Sequence, residues 1–325
     1  MENLVRIIFF ISVFLLGQHL ISQTCCSGGV PLSNNLGLPN EGKGSFIAGL
    51  NYDYNNLNTL NAGSDKLDDD SRLRITNSVL VSAGYAFTDR VSFEALFTWV
   101  NQTRTISQFG NENLTETSGI GDAVFLGKYA MPNVLGQGTV LNLGIGTKAP
   151  LGESDLTTED GLQLTADLQP GSGAWDMLGW LSVSKGLNFR PSATLSGSFT
   201  YRLTGKNNSY LNGLAIYEFG DVVQANAGYT DQFLLFNTIF DLGVVFKYRK
   251  SFSDKIDGSD IPNTGGEWVF VRPQLAAQIS PTIALSTRIE LPIYSNVEGT
   301  QLTPTWRFTA GISFKFKKNE VNILN

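Results

Sequence analysis

Histidine is all but missing from this chain of 325 residues: the single one, His19, sits in an apolar N-terminal segment that reads as cleaved. A mature chain without histidine has no Ser-His or Cys-His catalysis and no imidazole metal site, so the expectation is no enzyme, no metal and no cofactor. Carboxylate-only or lysine chemistry stays open, but no spacing points to it. Charge is scarce as well, at 16% of residues, where a soluble domain carries about a quarter. A chain so poor in charge needs somewhere other than water for much of its surface. The net charge of -6 argues against nucleic-acid binding, which wants basic stripes. Long apolar runs are missing too. Beyond the N-terminus no window reaches the roughly eighteen consecutive apolar residues of a helical span, so any crossing of a membrane must be made by strands.

The N-terminus has the parts of a secretory signal: Arg6, the apolar run Ile7 to Leu16, then small and polar residues up to Gln23. Residues 1–23 are expected to be removed on export. Residues 24–44, rich in Gly, Pro, Ser and Asn, read as an irregular leader. Cys25 and Cys26 stand side by side at its start, and an oxidising compartment favours a disulfide with each other or with a partner. A lipid anchor and thiolate metal binding are the alternatives, although Ser22 and Thr24 suit lipidation poorly.

What the chain has in abundance is alternation. Near its end Phe308, Ala310, Ile312, Phe314 and Phe316 share one face, and Arg307, Thr309, Gly311, Ser313 and Lys315 the other. Ala193, Leu195, Gly197, Phe199 and Tyr201 oppose Thr194, Ser196, Ser198, Thr200 and Arg202 in the same way. Such runs recur along the chain, joined alternately by tight turns, as at Thr88-Asp89-Arg90 and Ser280-Pro281, and by long polar loops. The expected turns include Thr230-Asp231-Gln232, and the expected loops include 55–72, 103–118 and the stretch before the last strand. This rhythm predicts an all-β fold, a transmembrane antiparallel up-and-down β-barrel of about 12 strands over residues 45–316, followed by a tail at 317–325. A large soluble double sandwich would explain the alternation. It would not explain the signal, the turn asymmetry and the C-terminal aromatics together.

The residues opposite the greasy face are the candidate functional ones. Acidic Glu94, Asp122, Asp176 and Glu290 and basic Lys128, Lys148, Arg202, Arg272, Arg288 and Arg307 all fall there, with Asp241 and Lys247. Either they line a polar pore that filters a solute, or they pair across a filled lumen and simply stabilise it. Asp65, Asp68, Asp69 and Asp70 form an acidic loop that would bridge divalent ions to lipopolysaccharide or stand solvated, and Asp254, Asp257 and Asp260 only loosely resemble a calcium loop.

Two resemblances bear on function. Thr309, Gly311, Phe314 and Phe316 resemble the terminal signal by which the barrel-assembly machinery of Gram-negative outer membranes recognises its clients. That implies residence in the outer membrane, with its lipid and lipopolysaccharide as partners. The Gly-spaced set Gly119, Gly121-Asp122, Gly127-Lys128, Gly144, Gly146, Lys148, Gly152, Gly171, Gly173, Trp175-Asp176 and Tyr201-Arg202 resembles the outer-membrane family named for the meta-pathway of phenol degradation. Its members are described as transporters or channel-like barrels, which implies uptake of small solutes, including hydrophobic or aromatic compounds. A non-conducting barrel acting through its surface loops is the rival reading. The signal reading is tested by mass spectrometry of the exported chain, which should begin near Gln23 and not at Met1.

Overall fold

The computed structural model describes residues 36–317. The expected signal segment, Cys25, Cys26 and tail residues 318–325 lie outside them. Long strands dominate: β1 (Phe46–Ala62), β2 (Arg72–Ala86), β3 (Val91–Gln108), β4 (Asn111–Ile120), β5 (Ala123–Pro132), β6 (Thr139–Ala149), β7 (Asp176–Leu187), β8 (Arg190–Leu203), β9 (Val222–Leu235), β10 (Thr238–Ser251), β11 (Gly266–Ser280), β12 (Ile283–Val297) and β13 (Thr300–Phe316). β4 and β5 act as one stave bent at Gly121-Asp122, because both pair with β3, one above the bend and one below. The sheet therefore has twelve staves, each antiparallel to its neighbours in sequence. β13 then pairs with β1, from Phe46↔Phe316 to Ala62↔Thr300, and closes the barrel.

Closure and alternation have one cause. In hydrocarbon an unpaired backbone group costs several kcal/mol, so a sheet survives there only without edges and with apolar residues outward. Tyr52, Val81, Phe97, Leu143, Phe199 and Phe246 are accordingly exposed on the outer wall, while Asp53, Ser82, Glu94 and Lys247 are buried inside. At the seam the rings of Phe46 and Phe316 stack at 6.2 Å. Gly311 lies on the inner face there, where an added Cβ would strike the Asn51 side chain. So Phe316 and Gly311 both serve the joint between the first and last strands, and Thr309 donates to Asp53 at 2.8 Å.

Several expected loops are strand. β1 runs on to Ala62, β3 and β4 form a hairpin turning at Phe109-Gly110, and only Glu298-Gly299 separates β12 from β13. Beyond the bilayer a strand needs no greasy face, so these polar extensions carry no apolar alternation to read. The turn expected at Thr230-Asp231-Gln232 lies instead at Phe236-Asn237, between the paired Leu235 and Thr238. Asp231 points outward and takes Arg190 at 2.5 Å and Ser192 at 2.7 Å, so its polarity marks an ion pair on the wall and not a chain reversal.

Three of the long loops fold together at one end. Lys206–Asn207, Tyr217–Glu218, Lys255–Ile256 and Ser259–Asp260 form a small four-stranded sheet. Ala166, Tyr210, Ala215, Tyr217 and Phe219 pack beneath it with Ile256 and Ile261. The loops make a structured cap.

Phe236 and Asn237 both hold positive φ, 49° and 59°, the pattern of a tight hairpin turn that disfavours a bulky residue. Phe236→Asn should stabilise the barrel by about 1 kcal/mol. The check is the temperature at which the folded band is lost in heat-modifiability gels, which should rise.

Candidate functional site

The lumen is dressed from both ends. At the short-turn end the leader enters along the β2–β3 turn, where Lys43 N–H donates to Asp89 at 2.9 Å and Gly44 N–H to the Ala86 carbonyl at 2.8 Å. It then rises inside. Glu94 accepts the Gly37 and Leu38 amides, the latter at 2.9 Å, and Lys128 at 2.8 Å. Lys128 also donates to the Leu38 carbonyl. Leu36 covers an apolar inner patch of Leu80, Leu96, Val124 and Leu178. Gly37 has φ 98° and lies so close to Trp180 that a Cβ would sit 2.8 Å from the indole, so glycine is demanded twice over. These residues of the leader lie on the β2–β7 side of the lumen, held by charge-assisted bonds to the buried Glu94 and Lys128.

From the other end, loop 150–175 folds inward. Lys148 bridges Asp122 at 2.8 Å and Asp176 at 3.2 Å, with Arg202 at 3.7 Å from Asp176. Asp122 accepts the Gly152 and Ser172 amides, at 3.2 and 3.0 Å, and Asp176 accepts the Gly205 amide at 3.1 Å. The two limbs of the loop cross at Gly152 and Gly171, where a Cβ on either would lie 2.6 Å or less from the other's backbone. The turn at Ala166–Leu168 is pinned to the wall: Arg74 donates to Asp167 at 3.0 Å, and Thr117 to the Leu168 carbonyl at 2.8 Å. Asp122, Lys148, Asp176 and Arg202, far apart in sequence, thus form one latch that ties a loop to the wall.

A further group of inner charges lies on β10–β13 and β1. Lys247 pairs with Glu290 at 2.5 Å, and Arg307 with both oxygens of Asp53 at 2.9 Å. Arg272 lies within electrostatic reach of Glu290 and Arg307, and Arg288 within reach of Asp53. Above them Leu57, Trp268, Phe270, Val297 and Leu302 fill the inner space with side chains, and Lys247 lies 4.2 Å from the Phe270 ring centre.

All ten lumen candidates sit on the inner face, but they divide into three groups: the leader clamp (Glu94, Lys128), the loop latch (Asp122, Lys148, Asp176, Arg202) and the wall cluster (Arg272, Arg288, Glu290, Arg307). Asp53 and Arg74 were missed, although the same period of two assigns both to the inner face. Asp167 was unreadable, because nothing in a loop's sequence says that it turns inward. The acidic loop of 254–260 turns its carboxylates apart: Asp254 accepts Tyr217 O–H at 2.7 Å and the Gly220 amide at 2.8 Å, whereas Asp257 accepts the Ile216 amide at 2.9 Å.

A closed twelve-stave barrel with a polar, partly occupied lumen defines the class: a β-barrel of the outer-membrane type. A family model described as "Putative MetA-pathway of phenol degradation" matches residues 86–308, and the chain belongs to that family. The outer membrane channel COG4313 of Pseudomonas putida F1 has a similar structure, at TM-score 0.65 and 16% identity, covering 86% of this chain and 97% of that one. The translocator domain of the autotransporter NalP from Neisseria meningitidis is similar at TM-score 0.45 and 11% identity, covering 87% and 92%. Among curated proteins the chain has no match.

Two predictions follow from this geometry. Glu94→Gln keeps the shape of the clamp but removes its charge, and should cost about 2 kcal/mol of leader anchoring. A cysteine placed at Leu38 should then react faster with a water-soluble thiol reagent than in the parent. In the cap, burial holds Asp254 above the usual carboxylate range, outweighing its two hydrogen bonds. Since the folded state disfavours the ionised form, cap stability should be greatest below the unfolded value of about 4 and fall as pH rises through the folded one. Hydrogen exchange in 252–265, corrected for intrinsic rates, should show more protection at pH 4 than at pH 8, and Asp254→Asn should flatten the difference.

Proposed function

We propose that the chain is a channel for small solutes, hydrophobic or aromatic compounds among them, across the outer membrane of a Gram-negative bacterium. The observation that carries this reading is that, among the described residues, the segments that narrow the lumen from its two ends are tied to the wall by hydrogen bonds and ion pairs. Leader and loop 150–175 rest on hydrogen bonds and ion pairs to the wall, which can be broken and remade while the backbone ladder of the barrel stays whole. The family to which the chain belongs is named for phenol degradation, and the Pseudomonas putida relative of similar fold is described as an outer membrane channel. Both support the reading. Export by the N-terminal signal, a disulfide of Cys25 and Cys26 with each other or with a partner, and recognition of Thr309, Gly311, Phe314 and Phe316 by the assembly machinery belong to the same proposal.

The clamp at Glu94 favours a second reading, a sealed barrel that works through its cap. The two are separated by uptake of a radiolabelled monocyclic aromatic into intact Gram-negative cells with and without the protein. Uptake raised several-fold by the protein, and abolished when cysteines introduced at Leu38 and Gly84, whose Cβ atoms would lie 3.7 Å apart, are crosslinked, supports the channel. Unchanged uptake with the folded barrel present in the membrane supports the sealed form.

A further inference from the structure

Among the described residues one buried apolar cluster is completed from outside the sheet. Leu57, Trp268, Phe270, Val297 and Leu302 all belong to barrel strands, and the cluster under the cap belongs to the loops that build it. Leu80 on β2, Leu96 on β3, Val124 on β5 and Leu178 on β7 instead make a floor on the inner face, and the leader supplies Leu36 to it. Beside this floor lies the indole of Trp180. Its neighbour on β6 is Gly144, where a Cβ would lie 3.0 Å from the ring, so β6 adds no side chain there. At Gly37 the leader lays bare backbone against the indole, the thinnest cover a chain can give.

The polar bonds of Gly37 and Leu38 run through main-chain atoms: both amides donate to Glu94, and the Leu38 carbonyl accepts from Lys128. Any small molecule with a donor offers Glu94 the same bond, so these contacts do not single out the leader. The charged pair and the apolar floor adjoin, since Glu94 stands opposite Leu126, and Lys128 lies 2.8 Å from Glu94 and 5.9 Å from the centre of the Trp180 ring. A flat ring suits the floor, because aliphatic walls take benzene and an aromatic face takes another ring. One hydrogen-bond donor suits Glu94, which is fully buried. A carboxylate does not, because two buried anions would then share Lys128.

We propose that Leu36–Leu38 occupy a binding station for a neutral single-ring solute with one hydrogen-bond donor, which places its ring on the leucine floor and the Trp180 indole and its donor on Glu94. Solute and leader exclude each other, so arrival of the solute releases the leader from this side of the lumen. The proposal rests on the reading of the lumen as a solute route, and names both the solute's chemistry and what clears its way. Because the solute binds only the barrel from which Leu36–Leu38 have moved, its apparent affinity is lowered by the leader's hold, and loosening that hold raises it.

The test is binding of 4-fluorobenzyl alcohol to the folded full-length mature barrel in detergent, read from fluorine NMR line widths with empty micelles as the blank. The anion 4-fluorobenzoate and the ringless trifluoroethanol serve as comparisons, and neither should bind. Leu36→Ser should raise the affinity for the alcohol about tenfold, and adding Trp180→Ala should remove most of that gain. In a chain with Cys25→Ser and Cys26→Ser, a cysteine placed at Leu38 should be labelled several-fold faster once the alcohol is present at saturation. Folding of every variant is checked by heat modifiability. Failure of the alcohol to bind either the parent or the Leu36→Ser chain, equal affinity in the two, or a labelling rate that the alcohol leaves unchanged would overturn the station. Planar bilayers separate the two proposals: a conducting barrel that never binds the alcohol leaves the channel and removes the station, whereas release of the leader by the alcohol in a barrel that never conducts leaves the station and removes the channel.

Discussion

Every feature of this protein depends on the pairing of its last strand with its first. A sheet in hydrocarbon has no water to satisfy its edges, and the ladder between Phe46–Ala62 and Thr300–Phe316 removes both edges at once. Once the ring is closed, period two decides the rest of the wall, because each residue must face either lipid or lumen. The outer face becomes apolar by necessity. The inner face is then where polar and charged residues can be placed, and their pairing across neighbouring strands determines what the lumen can hold.

Twelve staves enclose more space than their own inner side chains fill everywhere, and the protein treats that space unevenly. Near the cap Trp268 and Phe270 fill one side. On the opposite side an apolar patch is covered by Leu36, a residue borrowed from the leader, because bare leucines facing water would be costly. What is left is the wall of β10–β13, where Lys247 pairs with Glu290 and Arg307 with Asp53 of β1. Closure is thus local and built from separable pieces, so a barrel can be rigid in its ladder and yet changeable in its bore.

The barrel was legible in the sequence because lipid imposes alternation over tens of residues. Strand number, the inner face and the tight turns at Asp89 and Pro281 could be read from it. Legibility stopped where the bilayer stops. The extensions of β1, β3 and β12 carry polar residues on both faces, and Asp231 looked like a turn because its partner Arg190 lies far off in sequence. The lumen was legible only as a set. Parity assigns Glu94, Asp122 and Arg288 to one face, but their division into clamp, latch and wall cluster follows from where Leu36–Leu38 and Ala166–Leu168 turn inward. Those segments have no periodicity. Their placement depends on contacts such as Gly37 against Trp180 and Asp167 with Arg74, which only the closed barrel brings together.

The account stands most directly on single-channel recording in planar bilayers, comparing the mature chain with one that lacks the leader up to Lys43. If the leader is a removable plug in a conduit, the mature chain should show small, flickering steps and the shortened chain larger, steadier ones. If neither conducts although both are folded, the lumen is sealed by the wall and the cap, and the protein is no channel.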